Sequence, residues 1–514
     1  MFSGFGRCWL MAVSFVGLLL VDYPAHATQA PEFQAPEFQV VVCNVENLFD
    51  VDGIALFDDY KPEVYKPSHL LTKLQNHAEI MAMVNGGAGP DIILYQELEA
   101  DQTPGSQPFD FDQFQRQFAD QKLAEMLTPP LSADIKDLPS GAFLLKALQE
   151  QNLGSYHVAV ADYRPDPTGR VVAHVNATFS RFPIRKAATH HTPGARGILE
   201  VVHDVDGSLL FTFNNHWKSG ASDPASERIR EGNARELRKR LDAVLAADPR
   251  ADIIIGGDFN SQHNQSEAYP EMRTTAIQGV LGSQGDEEKI RTVDDIVYNL
   301  WYELPEEKRG SDAYRDRWGT LMQMMLTRGV YDNHGIQYVD NSFEVLIHEG
   351  INAQIGTRLP IRWNPLGETG GGYSDHFPIS ARFRKVVAGS NQEWMSLTAP
   401  SRGARAANPS MAVDFQAVRS AQVPELRKFA SDEEICSPKN LGHVFMIEGR
   451  ISGERPLRIQ IYEQEYGIWA FDVEMRKKIY DRLKVGQKVR FYGEISTHAG
   501  ACQFVVRDLS WLDE

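Results

Sequence analysis

Ile253-Ile254-Ile255-Gly256-Gly257-Asp258-Phe259-Asn260-Ser261 joins a β-branched apolar run to two glycines and then to Asp and Asn two positions apart. The run over 252–255 is short and bounded by turn residues, which suits a strand buried on both faces beneath covering helices. The glycines permit close approach by a neighbouring segment. In an extended chain alternate residues share a face, so Asp258 and Asn260 project together. An Asx turn would use the same pair without chemistry.

The same construction, an apolar run ending in polar groups, recurs along the chain. The run 40–43 leads into Cys43-Asn44-Val45-Glu46-Asn47, where Asn44 offers a neutral oxygen to a hard cation or serves as a turn or cap residue. Gly89-Pro90-Asp91-Ile92-Ile93-Leu94-Tyr95-Gln96-Glu97 ends a strand over 92–95 in a carboxylate. A carboxylate just beyond a buried strand must pair or bind metal, which makes Glu97 the best single metal ligand. Phe211-Thr212-Phe213-Asn214-Asn215-His216-Trp217-Lys218 places His216 and Lys218 where they suit a negatively charged phosphorus centre, although a lone histidine is also commonly a satisfied buried one. Finally Gly370-Gly371-Gly372-Tyr373-Ser374-Asp375-His376-Phe377-Pro378 sets a metal ligand or orienting anion beside a group that moves protons near neutral pH. Further short apolar runs at 171–179, 198–202 and 209–213 alternate with helical spacing over 70–84 and 226–246, which predicts an α/β domain with helix-covered sheets.

A length of 514 residues exceeds one hydrophobic core, so more than one domain is expected. Residues 387–415 turn to Gly, Ser, Ala, Pro and Arg and read as a linker between a domain over 38–386 and another over 416–514. The latter has strand patterns near 444–451, 457–462, 468–473, 489–495 and 504–512 with a helix near 474–483. Five strands with a helix after the third fit a small OB-like β-barrel. Such barrels often bind nucleic acids or sugars, but the fold alone does not specify function.

Arg7, the apolar stretch 9–21 and Ala25-His26-Ala27 read as a secretory signal peptide over 1–27, with the mature protein secreted or periplasmic and not inserted in a membrane. Ala30-Pro31-Glu32-Phe33-Gln34 repeats at 35–39 as a tether. Cys43 lies in an apolar strand as a buried thiol, whereas Cys436 and Cys502 flank the last domain and are free to pair in an oxidising compartment. With 42% hydrophobic and 24% charged residues the chain is an ordinary globular one. Its net charge of −17 excludes binding to nucleic acid through a broad basic surface, yet suits an acidic cleft holding a divalent cation.

Taken in order, the runs Asn, Gln-Glu, Asn-His, Gly-Asp-x-Asn and Ser-Asp-His resemble the endonuclease/exonuclease/phosphatase superfamily over residues 40–385. The resemblance implies a four-layer α/β sandwich: two central β-sheets face to face, a helical layer outside each, and an active site at one edge. It implies Mg²⁺, with Mn²⁺ or Ca²⁺ as alternatives, at Asn44 and Glu97 with Asp375 nearby. It further implies phosphate contacts at His216 and Asn260, water activation by Asp258, and a catalytic histidine at His376; Arg181 and Arg196 also lie in family-like contexts. One position departs from the pattern. In Trp318-Gly319-Thr320-Leu321-Met322, relatives carry an Asp at the site of Met322 that orients the histidine, and either Asp340 or another group is expected to hold His376 in its place. The expected activity is hydrolysis of phosphodiesters, with DNA or RNA as substrate. A phosphatase or sphingomyelinase-like enzyme acting on inositol phosphate or phospholipid, or a catalytically impaired binding protein, is the alternative.

Overall fold

The computed structural model describes residues 36–103, 108–163, 171–192, 194–387, 392–403, 411–429, 431–498 and 500–513. The leader expected over 1–27 lies outside them.

Two seven-stranded sheets form the centre of the larger domain. In one, the strands run in the order Ile336–Tyr338, Ile379–Lys385, Glu37–Leu48, Ile92–Glu99, His174–Ser180 and His157–Val160, with Glu344–Val345 also paired to Ile379–Lys385. In the other the order is Ile184–His190, Ile198–Val205, Ser208–His216, Asp252–Asp258, Met322–Leu326, Val297–Asn299 and Ser283–Gln284. The central pairs are parallel: Glu37–Leu48 beside Ile92–Glu99, and Ser208–His216 beside Asp252–Asp258. Parallel neighbours point their C-terminal ends the same way, which is what gathers the polar strand ends.

Side-chain alternation divides the core into layers. Val40, Val42, Ile92 and Leu94 pack against Ile254, Met322 and Met324 between the sheets. Their neighbours Val41, Cys43, Ile93 and Tyr95 face outward onto Leu70, Leu74 and Ala78 of helix Pro67–Met83 and onto Phe143 and Leu144 of helix Ser140–Glu150. On the opposite side Ile253 and Ile255 pack on Ala234, Leu237 and Leu241 of helix Pro224–Ala247. The result is helix, sheet, sheet, helix. Gly256 sits where the sheets press closest: a Cβ there would lie 2.8 Å from side-chain carbons of Leu94 and Val42. The adjacent Gly257 has φ +148°, and a Cβ would lie 2.0 Å from the Asn215 carbonyl oxygen. Both glycines are therefore required by packing rather than by flexibility.

Helix Ser140–Glu150, buried almost all round, is a further element that the helical spacing over 70–84 and 226–246 does not include. The stretch 387–415 is also more attached than its composition suggests. Met395 is buried in the inter-sheet core with Trp394 and Leu397 against it, and Met395 N donates to Tyr331 O. Three apolar side chains in a polar stretch thus hold its described part on the sandwich.

The C-terminal domain is a closed barrel ordered Val444–Glu454, Leu457–Ile461, Gln464–Trp469, Ala501–Val505 and Lys488–His498. Helix Val473–Arg482 follows the third strand, and Ile447, Ile459, Ile468, Phe491 and Phe504 fill the interior. The last strand ends at Val505, with Leu509–Trp511 a single 3₁₀ turn rather than its continuation. A disulfide joins Cys436 to Cys502 with Cα atoms 5.9 Å apart, and Cys43 is a buried free thiol. The barrel rests on the loop before His376: Gln354 Nε2 donates to Gly442 O at 2.7 Å and to Glu494 Oε2 at 3.0 Å. Among the described residues no helix is long and apolar enough to cross a membrane.

Candidate active site

Five chain segments deliver polar groups to one edge of the sandwich. Register places His216 beside Asp258 at the ends of their parallel strands, and Asn44 beside Gln96 at the ends of theirs. The centre of the cluster is Asn44, whose Nδ2 donates to Glu97 Oε1 and to Asp258 Oδ2, each at 3.1 Å. One amide therefore ties the two sheets together at the site. The Glu97 Oε2 atom accepts from Asn47 N at 2.9 Å, and the backbone there is strained: Glu46, Asn47, Glu97 and Asn260 all have positive φ. Non-glycine residues hold that conformation only where surroundings enforce it, commonly at functional sites.

Both histidines bring Nε2 near Asp258 Oδ2. His216 Nε2 lies 3.7 Å from Glu97 Oε1 and 3.6 Å from Asp258 Oδ2. His376 Nε2 lies 3.8 Å from Asp258 Oδ2 and 3.7 Å from Asp375 Oδ1. Asn260 N donates to Asp258 Oδ1 at 2.9 Å, so Oδ2 is the oxygen turned toward both imidazoles. Ser374 Oγ donates to Asn44 O at 2.8 Å and accepts from His376 N at 3.2 Å, fixing the Asp-His pair to the first strand. Arg362 bridges Glu46 Oε1 at 2.9 Å and Asp375 Oδ2 at 3.3 Å.

Electrostatics separate these groups. Burial raises the Asp258 carboxyl to about 6, although His376 and the Asn260 N–H pull the other way. Burial would lower His376, but Asp375, Asp258, Asp312 and Glu97 together raise it to about 9. Burial also opposes the charge on Glu97, yet His174, His216 and Arg196 hold it below the usual carboxylate range. His216 is driven well down, chiefly by burial and then by Arg196. The edge thus presents an ionised Glu97, a neutral His216, a protonated His376, and an Asp258 that titrates just below neutrality. Groups with pKa values pushed apart are what acid–base chemistry requires.

Glu97, His216 and Asp258 offer ligand atoms that all lie within 4.8 Å of one another. The carboxylate oxygens of Glu97 and Asp258 are hard donors that fit Mg²⁺ or a similar divalent cation, whereas Asn44 turns its Nδ2 to them and its Oδ1 to Glu46 N at 2.9 Å. Asp375 stands outside that group, beside His376 and paired with Arg362.

Asn44, Glu97, His216, Asp258, Asn260, Asp375 and His376 are therefore brought together, but Asp340 is not. Its Oδ2 accepts from Thr398 N, and its carboxylate clusters with Glu287 and Glu303. Met322 is fully buried in the inter-sheet core, opposite Asp258 in the ladder. The carboxylate that faces His376 in place of the missing one is Asp312. Asp312 forms an isolated antiparallel bridge with His376, and Phe377 N donates to Ser311 O at 2.6 Å. Its Oδ1 accepts from Ser311 Oγ at 2.9 Å and Leu321 N at 3.1 Å. Gly319 makes room: a Cβ there would lie 2.2 Å from Asp312 Oδ2. Nothing in Gly310-Ser311-Asp312 marks this role, because it depends on hairpin Asp312–Tyr314 with Arg317–Gly319 folding back.

Arg196 Nη1 reaches Trp217 O at 3.4 Å, and its charge acts on Glu97 and His216. Lys218 instead directs Nζ to Ser219 Oγ at 3.2 Å. Arg181 pairs with Asp91 at 3.1 Å, just before the strand Ile92–Glu99 that carries Glu97, and so serves the opposite end of that strand. Glu46, His174 and Arg362 are further members of the site that sequence reasoning did not reach.

No curated protein matches the chain significantly. Among solved structures, it is similar to truncated Caenorhabditis elegans TDP2 at 15% identity, covering 68% of this chain and 98% of that one with a TM-score of 0.36. A similar relation holds with an endonuclease/exonuclease/phosphatase family protein from Leptotrichia buccalis at 13% identity, 67% and 98% coverage and a TM-score of 0.38. Another such family protein, from Bacteroides thetaiotaomicron, shows 12% identity, 69% and 100% coverage and a TM-score of 0.36. Residues 148–385 match the model of the endonuclease/exonuclease/phosphatase family, and this stretch contributes His216, Asp258, Asn260, Asp375 and His376 to the sheet edge. By that match the stretch 148–385 is similar to the endonuclease/exonuclease/phosphatase family, which supports a phosphodiesterase- or nuclease-type hydrolase.

Proposed function

We propose that the chain is a secreted, Mg²⁺-dependent phosphodiester hydrolase whose substrate is DNA or RNA. The observation that carries this reading is the Asn44 amide holding Glu97 and Asp258 together from two sheets while His216 and His376 both bring Nε2 near Asp258. Glu97 would hold the cation, joined by Asn44 once its amide turns Oδ1 from Glu46 N toward the site, and the cation would supply positive charge to the oxygens around phosphorus; Mn²⁺ or Ca²⁺ suits the same donors.

The chain's own groups account for proton movement. Asp258 titrates at about 6, so at neutral pH it is ionised and close enough to solution pH to accept the proton of the attacking water. His376, a cation at neutral pH, donates from Nε2 toward the developing charge on phosphorus. Asp375, Asp258 and Asp312 keep His376 charged, and the Ser374 hydroxyl accepts its backbone N–H. Water can displace the ester oxygen directly, with no covalent intermediate.

Export is supported by the leader-like residues 1–27 and by the Cys436–Cys502 disulfide, a bond that persists in oxidising compartments. The test is incubation of the purified chain with plasmid DNA, RNA, sphingomyelin and inositol phosphates, with and without EDTA. Cleavage of nucleic acid that EDTA abolishes supports the proposal. Turnover of sphingomyelin or inositol phosphates alone reassigns the substrate, and no turnover on any of them makes this a binding protein.

A further inference from the structure

We propose that Glu287, Glu303 and Asp340 hold a Ca²⁺ ion, separate from the candidate active site, that clasps the segment 392–403 onto the sandwich. The three residues offer carboxylate oxygens that all lie within 4.8 Å of one another. Ca²⁺ binds oxygens at about 2.3–2.6 Å, so ligands on one ion stand at most about 5 Å apart. Mg²⁺, with oxygens at about 2.0–2.1 Å, demands a tighter cage.

The carboxylates are held as ligands are held. Tyr338 Oη donates to Glu303 Oε2 at 2.7 Å, Thr398 N to Asp340 Oδ2, and Tyr331 Oη to Glu287 Oε1 at 3.2 Å. Glu303 Oε1 and Asp340 Oδ1 remain, both buried and both without a well-formed hydrogen bond, although the Phe343 N–H acts on the Glu303 carboxylate. An independent observation points the same way. Tyr298 is fully buried, its hydroxyl lies beside Ser401 without a well-formed hydrogen bond, and it faces Glu303, Glu287 and Asp340. Nearby Ser401 Oγ is committed to Gly285 O. Arg291, the cation facing Glu287, donates Nη2 to Met395 O at 2.7 Å. Buried carboxylate and phenol oxygens left unpaired cost stability, and one ion would satisfy all of them.

The position gives the ion its role. Glu287 N donates to Ser401 O, Ser401 N to Glu287 Oε2, and Asn341 Nδ2 to Thr398 O, so ligand-bearing residues and the segment leaving the sandwich are already interleaved. Fixing the carboxylates fixes that segment.

The test uses full-length protein stripped with chelator, in a Glu97→Gln background that removes the other candidate cation site. Calorimetric titration with CaCl₂ is expected to show one ion per chain, with a rise of several degrees in Tm and slower tryptic cleavage at Arg402. Adding Glu303→Gln and Asp340→Asn is expected to abolish binding while far-UV circular dichroism is unchanged. Should that variant fail to fold, Tb³⁺ emission sensitised through tyrosine decides in the parent background: Tyr298→Phe reduces it, and Ca²⁺ competes it away. Absence of Ca²⁺ binding in the Glu97→Gln protein, or binding indifferent to both added substitutions, overturns the proposal.

Discussion

Asp312 and His376 face one another across an isolated antiparallel bridge, which carries an anion to the histidine although the ladder position opposite Asp258 holds Met322. Asp312→Asn is expected to lower kcat by roughly 10²-fold or more, with little change in KM, since losing an orienting carboxylate costs orders of magnitude. The pKa of His376, read by NMR, should fall from about 9 in that variant. Asp340→Asn, by contrast, should leave kcat unchanged. An Asp312→Asn enzyme with normal kcat and an unmoved His376 would remove Asp312 from the site.

The two shifted groups predict the pH profile. Asp258 must be ionised to accept a proton, so kcat/KM falls as pH drops through about 6. His376 must be protonated to donate, so kcat/KM falls again as pH rises through about 9. A bell with those limbs is expected. A profile that rises without limit above pH 9 would show that His376 works unprotonated.

Gly256 lies under the carboxylate edge, where a Cβ would stand 2.8 Å from both Leu94 and Val42. Gly256→Ala overpacks the inter-sheet core and is expected to destabilise the sandwich by about 1–3 kcal/mol in urea unfolding. An unchanged midpoint would mean that the sheets separate freely there.

The Cys436–Cys502 bond closes a loop with a sequence separation of 66 around the barrel. Its removal in a Cys436→Ser/Cys502→Ser variant should cost about 2–4 kcal/mol, read as an earlier barrel transition, with hydrolysis at low temperature retained. Loss of hydrolysis before any unfolding would instead assign the barrel a direct part in turnover.

What the sequence made legible follows from where the information sits. Ile253 to Asn260 and Ile92 to Glu97 each contain a strand and the group at its end, so fold and chemistry were readable in one short window. Parallel register then brought those ends together without further information. Asp312 was illegible because its position beside His376 is made by a hairpin and by the space above Gly319, neither of which has a local pattern. Asp340 misled because nearness to Met322 along the chain is not nearness to His376 in space. Arg362 and Glu46 meet across more than three hundred residues, a contact no window contains. Met395 shows the opposite failure: with Trp394 and Leu397 it docks a stretch whose composition is polar.

The central claim is that the carboxylate pair at the sheet edge hydrolyses phosphodiesters with a cation. Its most direct measurement is cleavage of plasmid DNA by the wild type and by Asp258→Asn, each with Mg²⁺ and with EDTA, in protein shown by circular dichroism to be folded. The account predicts cleavage only by the wild type with Mg²⁺, and a loss of at least about 10²-fold in the variant, the scale of a missing general base. Undiminished cleavage by folded Asp258→Asn, or by the wild type in EDTA, would contradict it.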